Sequence, residues 1–306
     1  MEKIYDMVIV GGGPGGYTAA LYAARAGLDA VVLEKLSAGG QMALSQQLDN
    51  YPGFEEGIEG FFLAEKMQQG AERFGSETKI AEVTELHLAE DPKRIVTSEG
   101  VFYSRTVVFA TGADPKKIGI PGEDRFSGKG ISYCAVCDGM FCEDMTAAVI
   151  GGGNSAAADA MLLSRIAEKV VLINRTDRLS ATKIYHKPLM ETENIEIIWN
   201  SVAEEFTGDD KLQGVRIKNS LTGEESMISC NRVFISIGRK PATALVQGQL
   251  QLDSSGYITA GESTETDIPG VFAVGDVRTK PLRQVVTAIS DGAVAVYYAE
   301  KYLTSH

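Results

Sequence analysis

An apolar run, Met7 to Val10, stops directly on three glycines, and small and apolar residues then continue to Ala26 before a second apolar run closes on Glu34. This pattern predicts a β-strand, a glycine turn, a helix of about four turns and a second strand. The frame recurs at 146–175, where TAAVI leads into GGGNSA, a helical stretch and the strand KVVLIN. Between the frames, residues 54–75 (FEEGIEGFFLAEKMQQGAERFG) predict a helix. The alternation from Lys79 to Phe109 then predicts strands, ending in VVFATGADP. A second alternating region runs to RVFISIGRKP, and the C-terminal IPGVFAVGDVRTKPLRQVVTAISDGAVAVYYAEKYL predicts a short strand, an acid after glycine and a long closing helix.

The order of elements predicts an α/β protein with two Rossmann-like (three-layer ββα) dinucleotide-binding domains, the second inserted into the first. No low-complexity linker interrupts the chain, so the crossings are expected near Asp114 to Lys117 and Lys240 to Thr243. The first domain is then 1–115 with 243–306, and the second 116–242.

In the first frame the glycines fall as Gly11-x-Gly13-x-x-Gly16, with Glu34 23 residues after Gly11. Glycines there let the backbone approach a pyrophosphate, the helix N-terminus offers unpaired N–H donors, and an acid at the strand end accepts from ribose hydroxyls. The second frame has Gly151-x-Gly153-x-x-Ala156. Two such units mean two dinucleotides, or two folds of common origin of which one has lost its ligand.

At 306 residues the chain has mass for two cores, and 44% hydrophobic with 23% charged residues is ordinary for a globular protein. The start MEKIYDMVIVGGG lacks the basic head of a signal peptide, and no apolar run approaches the roughly 18 residues that span a bilayer, so a cytoplasmic protein without membrane attachment is expected. A net charge of -12 argues against nucleic acid as a partner. That charge is uneven: residues 116–242 hold 16 Lys plus Arg against 17 Asp plus Glu, the remainder 13 against 24. The middle segment would repel an acidic partner least.

Three of the four cysteines, Cys134, Cys137 and Cys142, lie within nine residues, with Cys230 apart. Cys134-Ala-Val-Cys137 suits a small-ring redox disulfide, one sulfur of which becomes an accessible thiolate. Asp138 beside it is placed to move a proton. Structural zinc is the competing reading, but Cys142 and Cys230 are single and the histidines are only His87, His186 and His306.

CAVCDG, the opening GGGPGG, GGQM (39–42), DNYPGF (49–54), ATGA (110–113), GGGNSA and GVFAVGD with RQVVTA together resemble the low-molecular-weight thioredoxin reductases, through essentially the whole chain. The resemblance implies FAD on the first domain, a redox disulfide on the second, and a swivel that carries the disulfide between flavin and thioredoxin. It implies a pyrophosphate on Gly11, Gly13, Pro14 and Gly15, with Glu34 on the ribose. Gly40, Gln41, Asn50, Val83, Ala110, Thr111 and Gly112 would lie along the cofactor. Gly275 and Asp276 would take the ribityl or pyrophosphate region, and Arg283, Gln284 and Val285 the flavin. Cys137 would face the flavin, Cys134 would attack thioredoxin, and the protein would be a homodimer.

One stretch departs from the family. Members using NADPH carry a pattern like HRRxxxR after the second domain's second strand; here it reads Asn174-Arg175-Thr176-Asp177-Arg178-Leu179-Ser180. A phosphate dianion is held well by paired guanidiniums and poorly by one. NADH usually calls for an acid where Asn174 stands. The ferredoxin-dependent flavin thioredoxin reductases are similar in keeping FAD and CxxC without the nucleotide grip. A ferredoxin near about -400 mV lies roughly 130 mV below thioredoxin at about -270 mV, on the order of 6 kcal/mol downhill for two electrons. Arg175, Arg178, Lys183, His186 and Lys187 form a basic cluster that would receive such a donor. The expected function is an FAD-dependent thioredoxin reductase fed by ferredoxin; the alternatives are an NADH- or NADPH-linked reductase with a degenerate site, and an FAD-binding redox sensor without turnover.

Overall fold

The computed structural model describes residues 3–45 and 47–305. The chain forms two compact units, Met1–Asp114 with Lys240–His306, and Pro115–Arg239. Along the first unit run β1 (Ile4–Val10), α1 (Pro14–Arg25), β2 (Ala30–Glu34), α2 (Gly60–Glu72), β3 (Glu77–Ile80), β4 (Val83–His87), β5 (Lys93–Thr97) and β6 (Gly100–Phe109). The chain leaves through β7 (Ala113–Pro115). The second unit holds α3 (Glu123–Phe126), β8 (Ile131–Ser132), α4 (Ala135–Asp138), β9 (Thr146–Ile150), α5 (Asn154–Leu163), β10 (Lys169–Ile173), α6 (His186–Glu191), β11 (Ile195–Ile198), β12 (Ser201–Gly208), β13 (Leu212–Asn219), β14 (Glu225–Ser229) and β15 (Arg232–Ile235). It returns through β16 (Arg239–Pro241) to β17 (Val271–Ala273) and the closing α7 (Val285–Ser305).

In the first unit the sheet order is β3-β2-β1-β6-β5-β4, with β17 also paired to β6. The β1 ladders to β2 and β6 are parallel, whereas β5 runs antiparallel to both β4 and β6. Side chains alternate across β1: Met7 and Ile9 pack with Tyr17, Ala20, Ala295 and Val296 from the helices, while Val8 and Val10 pack with Leu86, Ile95 and Val107. Helices thus cover one face and the antiparallel strands the other. The second unit repeats this plan, with a parallel sheet β11-β10-β9-β15-β8 and a separate antiparallel β12-β13-β14.

One local expectation is corrected. The helix predicted over 54–75 starts only at Gly60, because Ile58 exchanges backbone hydrogen bonds with Leu48 and Gly57 turns with φ 74°. The second crossing falls between Arg239 and Lys240, at the edge of the expected stretch: Ala242 N–H donates to the Gly112 carbonyl and Thr111 Oγ1 donates to that of Ala242, which ties 240–242 to the first unit.

After the insertion, the returning chain is bound to its first half through α7. Gly292 lies where a Cβ would meet the Gly15 carbonyl, so α1 and α7 approach at backbone distance. One step away, Asp291 accepts from Gly275 N–H at 2.8 Å, Arg278 Nε at 2.9 Å and Nη2 at 2.6 Å, and Lys280 Nζ at 2.7 Å. Burial works against the Asp291 charge, but its hydrogen bonds to two cations outweigh burial and hold the carboxyl below its ordinary range. For Lys280, which shares its anion with Arg278, burial wins and the amine is held low.

Replacing Asp291 with Ala leaves two buried cations without their anion and is expected to cost about 3–5 kcal/mol. Urea unfolding of the purified protein checks this. A carboxyl depressed in the folded state stabilises above its unfolded pKa of about 3.9 and stops doing so as pH falls through its folded value, so the gap to wild type should narrow in acid.

Candidate active site

At the C-terminal ends of β1 and β6 the first glycine turn forms where the strand order reverses, the place where open parallel sheets bind ligands. Gly11 N–H donates to Leu33 O at 2.9 Å and Ala110 N–H to Val10 O at 2.8 Å, which joins the ends of three strands. Glu34 accepts from Gly12 N–H at 2.6 Å through one oxygen and from Lys35 N–H at 2.8 Å through the other. The carboxylate is therefore fixed beside the turn, with lone pairs left over.

The predicted residues fall into three groups in this unit. Gly11, Gly13, Pro14, Gly15, Glu34, Gly40 and Ala110 meet at the turn, where a Cβ on Gly40 would stand 3.9 Å from Gly13 Cα. Gly275 packs its turn against Ala288. A second group is joined by Asn50 Nδ2 donating to Gln284 Oε1 at 3.1 Å, by the packing of Val285 with Met42 and Leu48, and by Arg283 Nε donating to the Asp276 carbonyl at 3.5 Å. Arg283 also lies 4.0 Å over the Tyr257 ring. Near the crossing, Gln41 Nε2 donates to Asp114 Oδ1 at 2.8 Å, alongside Thr111 and Gly112. Val83 opens β4 just past Ala81, whose N–H donates to Glu34 O at 2.8 Å.

The turn fits the pyrophosphate and ribose of FAD. Added to Gly13, a Cβ would have only Ala110 O near it, at 3.9 Å, so space lies open at the head of α1. That helix carries no side-chain cap and no acid in its first turn, leaving its N–H donors for an anion.

In the second unit Cys134 and Cys137 form a disulfide across α4, with Cα atoms 5.3 Å apart. Cys137 N–H donates to Cys134 Sγ at 3.2 Å. Asp138 follows with its carboxyl half-buried, and burial raises it above the ordinary carboxylate range although Ser132 and the Arg232 charge pull it down. Ser132, missed in the sequence, donates to Asp138 Oδ2 at 2.5 Å. The remaining cysteines are inert by burial, which pushes Cys142 up to about 11 and Cys230 up to about 12. Among the described residues, which exclude His306, no three His, Cys, Asp or Glu side chains could hold a metal.

The second glycine turn allows an internal comparison. Where Glu34 stands beside Gly12, Asn174 stands beside Gly152, so close that a Cβ there would strike its Oδ1. Asn174 is buried and turned into its own loop, its Nδ2 donating to the carbonyls of Arg178 at 2.9 Å and Thr176 at 3.1 Å. Ser180 Oγ donates to the Gly152 carbonyl at 3.1 Å, which Ser180 N–H and Ala181 N–H also meet. Arg175 and Arg178 are exposed. Lys187 is paired with Glu191, and His186 Nε2 lies 2.9 Å from the Ala181 carbonyl.

A dinucleotide cradle and a vicinal disulfide carried on a second fold of the same plan define a class, the two-unit disulfide oxidoreductases. Residues 5–292 match the family model for pyridine nucleotide-disulphide oxidoreductases. The thioredoxin reductase of Listeria monocytogenes is 41% identical over 99% of this chain and 95% of its own, and that of Peptoclostridium litorale 40% over 99% and 98%. The crystal structure of thioredoxin reductase from Streptococcus pyogenes superposes with a TM-score of 0.93 at 40% identity, covering all of both chains. The chain belongs to the pyridine nucleotide-disulphide oxidoreductases, in their low-molecular-weight thioredoxin reductase branch. It is an enzyme acting on disulfide sulfur, and FAD is its cofactor.

Glu34→Gln keeps an acceptor for Gly12 N–H but removes the charge offered to a ribose. FAD affinity, read from flavin fluorescence during reconstitution of stripped protein, is expected to fall about 10–100-fold.

Proposed function

We propose that this enzyme reduces thioredoxin through Cys134–Cys137 and draws its electrons from a low-potential ferredoxin in place of NADPH. The observation that carries the donor reading is Asn174. A ribose-gripping position is filled by a buried amide whose hydrogens close the loop, and the arginine positions that would clasp a 2′-phosphate are Thr176 and Ser180. Thr176 Oγ1 donates to Arg178 O and Ser180 Oγ to Gly152 O, so each hydroxyl proton is spent on the loop's own backbone although both residues are exposed. Exposed Arg175, Arg178 and Lys183 suit an acidic donor protein.

FAD supplies the electron pair that opens the disulfide. Two thiolates result; the N–H of Cys137 stabilises Cys134, and Asp138 gives and takes the proton that accompanies each cycle. Cys134 attacks the thioredoxin disulfide, and Cys137 resolves the mixed disulfide to release thioredoxin dithiol. We further infer a homodimer in the cytoplasm, where thiols stay reduced; among the described residues no helix is long and apolar enough to cross a membrane.

One observation favours a second reading. A Cβ on Gly153 would meet only Ser180 Oγ, at 3.8 Å, so a pyrophosphate still has room and NADH or NADPH could bind without its usual ribose contacts.

Anaerobic titration of the flavin absorbance with NADPH, NADH and reduced ferredoxin separates the two. Bleaching by ferredoxin alone is expected; rapid bleaching by either nucleotide overturns the donor reading. Cys137→Ser should block electron flow from flavin to thioredoxin, and Cys134→Ser should leave the flavin reducible while stalling thioredoxin reduction and trapping no mixed disulfide at position 134. Full turnover by both variants would remove the CxxC mechanism.

A further inference from the structure

The segment 131–133 is held from both sides. Ile131 and Ser132 pair in register with Val233 and Phe234 of β15. Tyr133 OH donates to Glu123 Oε1 at 2.8 Å, and Glu123 is itself buried and fixed by the N–H groups of Ile118 and Gly119 at 3.1 and 2.6 Å. The Ser132 hydroxyl between them has little freedom. It accepts from Cys134 N–H at 3.1 Å and donates to Asp138 Oδ2 at 2.5 Å, linking the two ends of the CxxCD turn through one oxygen.

We propose that Ser132 is a positioning residue for proton transfer at the disulfide, holding the Asp138 carboxylate in register with the backbone of Cys134. The inference rests on the reading of Asp138 as the proton carrier. When the electron pair opens the Cys134–Cys137 bond, the proton leaves the Asp138 carboxyl for a thiolate, and the carboxylate that remains accepts from Ser132. When Cys134 attacks thioredoxin, the carboxylate takes the proton back and the same bond weakens, while the sulfur released on thioredoxin takes its proton from solvent. A hydroxyl that favours the ionised form keeps the carboxyl from being trapped as the acid by its burial.

The neighbours of Asp138 leave this task to Ser132. Across from it stand Arg232 on β15, whose charge favours the ionised form, and Cys142, whose buried thiol stays protonated at neutral pH. Nearest to the adjoining Gly139 are two aliphatic side chains, Leu163 at the end of α5 and Ile166 in the turn that follows it. On its own turn, the groups that exchange protons are the two disulfide cysteines.

The test mixes dithionite-reduced holoenzyme with oxidised thioredoxin across pH, so the natural donor does not enter. In Ser132→Ala the carboxyl loses a bond to its charged form, and its pKa must rise. The limb of the pH–rate profile governed by Asp138 should move upward by about 1 to 2 on the pH scale. Ser132→Thr, which keeps the hydroxyl, should restore the wild-type profile. The pH dependence of Cys134 alkylation by iodoacetamide in the reduced protein should shift in the same direction. In an Asp138→Asn background, adding Ser132→Ala should change nothing further. A Ser132→Ala profile lowered evenly but unmoved would overturn the positioning role while leaving Asp138 in place. A normal rate for Asp138→Asn would instead remove the reading on which the inference stands.

Discussion

A buried carboxylate on the last helix is the constraint on which the first unit depends. The inserted unit separates β6 from β17 by more than a hundred residues of chain, so nothing local brings the Gly275 turn to the turn at Gly11–Gly15. Pairing of β17 with β6 brings it there, and Asp291 fixes the turn by accepting the Gly275 N–H and two cations at once, while Gly292 beside it lets α7 lie against α1. Neither works alone. A charged network without close helix packing would sit in water and be weak, and close packing without the network would leave the orientation of the Gly275–Asp276 turn open. The surface proposed to bind the cofactor is therefore assembled from both ends of the chain, and the inserted unit leaves and returns through short backbone crossings.

The two units carry the same strand–turn–helix–strand frame and have diverged at one matched pair. In the first, Gly12 N–H meets a partly exposed acid at the end of β2; in the second, Gly152 meets a buried amide at the end of β10. The difference is chemical as well as steric. A carboxylate only accepts, so with its backbone partners satisfied Glu34 still has free lone pairs to offer a ribose. Asn174 donates two hydrogens, and it uses them on the loop that follows. Packing alone requires the first glycine of each motif, since a Cβ on Gly11 or Gly151 would strike the Ala110 or Ser236 carbonyl, whereas Gly13 and Gly153 stand in open space, so only part of the motif is a record of packing.

Much of this was legible in the sequence, for a physical reason. Apolar alternation and glycine spacing report local geometry, so β1, α1, β2 and their repeat could be read directly, as could the closeness of Cys134 and Cys137. The start of α2 could not: residues 54–59 are compatible with helix until the Leu48–Ile58 bridge claims their backbone. Ser132 and Asp291 were illegible for a similar reason. A serine two positions before a cysteine, or an acid in an apolar helix, has meaning only through the partner that folding brings to it. For Asp291 a faint signal existed, an acid directly before glycine on a helix otherwise fit for burial.

The four cysteines show how a fold selects reactivity without changing residue type. Cys142 lies five residues beyond Cys137, yet it is buried in the same cluster as Leu163, and burial above all pushes its thiol up to about 11, as burial pushes that of Cys230 up to about 12. At neutral pH both remain neutral thiols and poor nucleophiles. Cys134 opens a one-turn helix, where its sulfur receives the N–H of Cys137. That donor favours sulfur as the anion, the form that attacks a disulfide, and it favours Cys134 over its partner. The asymmetry we propose between two chemically identical sulfurs thus follows helix direction: the residue at the N-terminal end of the turn gains the donor, and the residue at the C-terminal end supplies it.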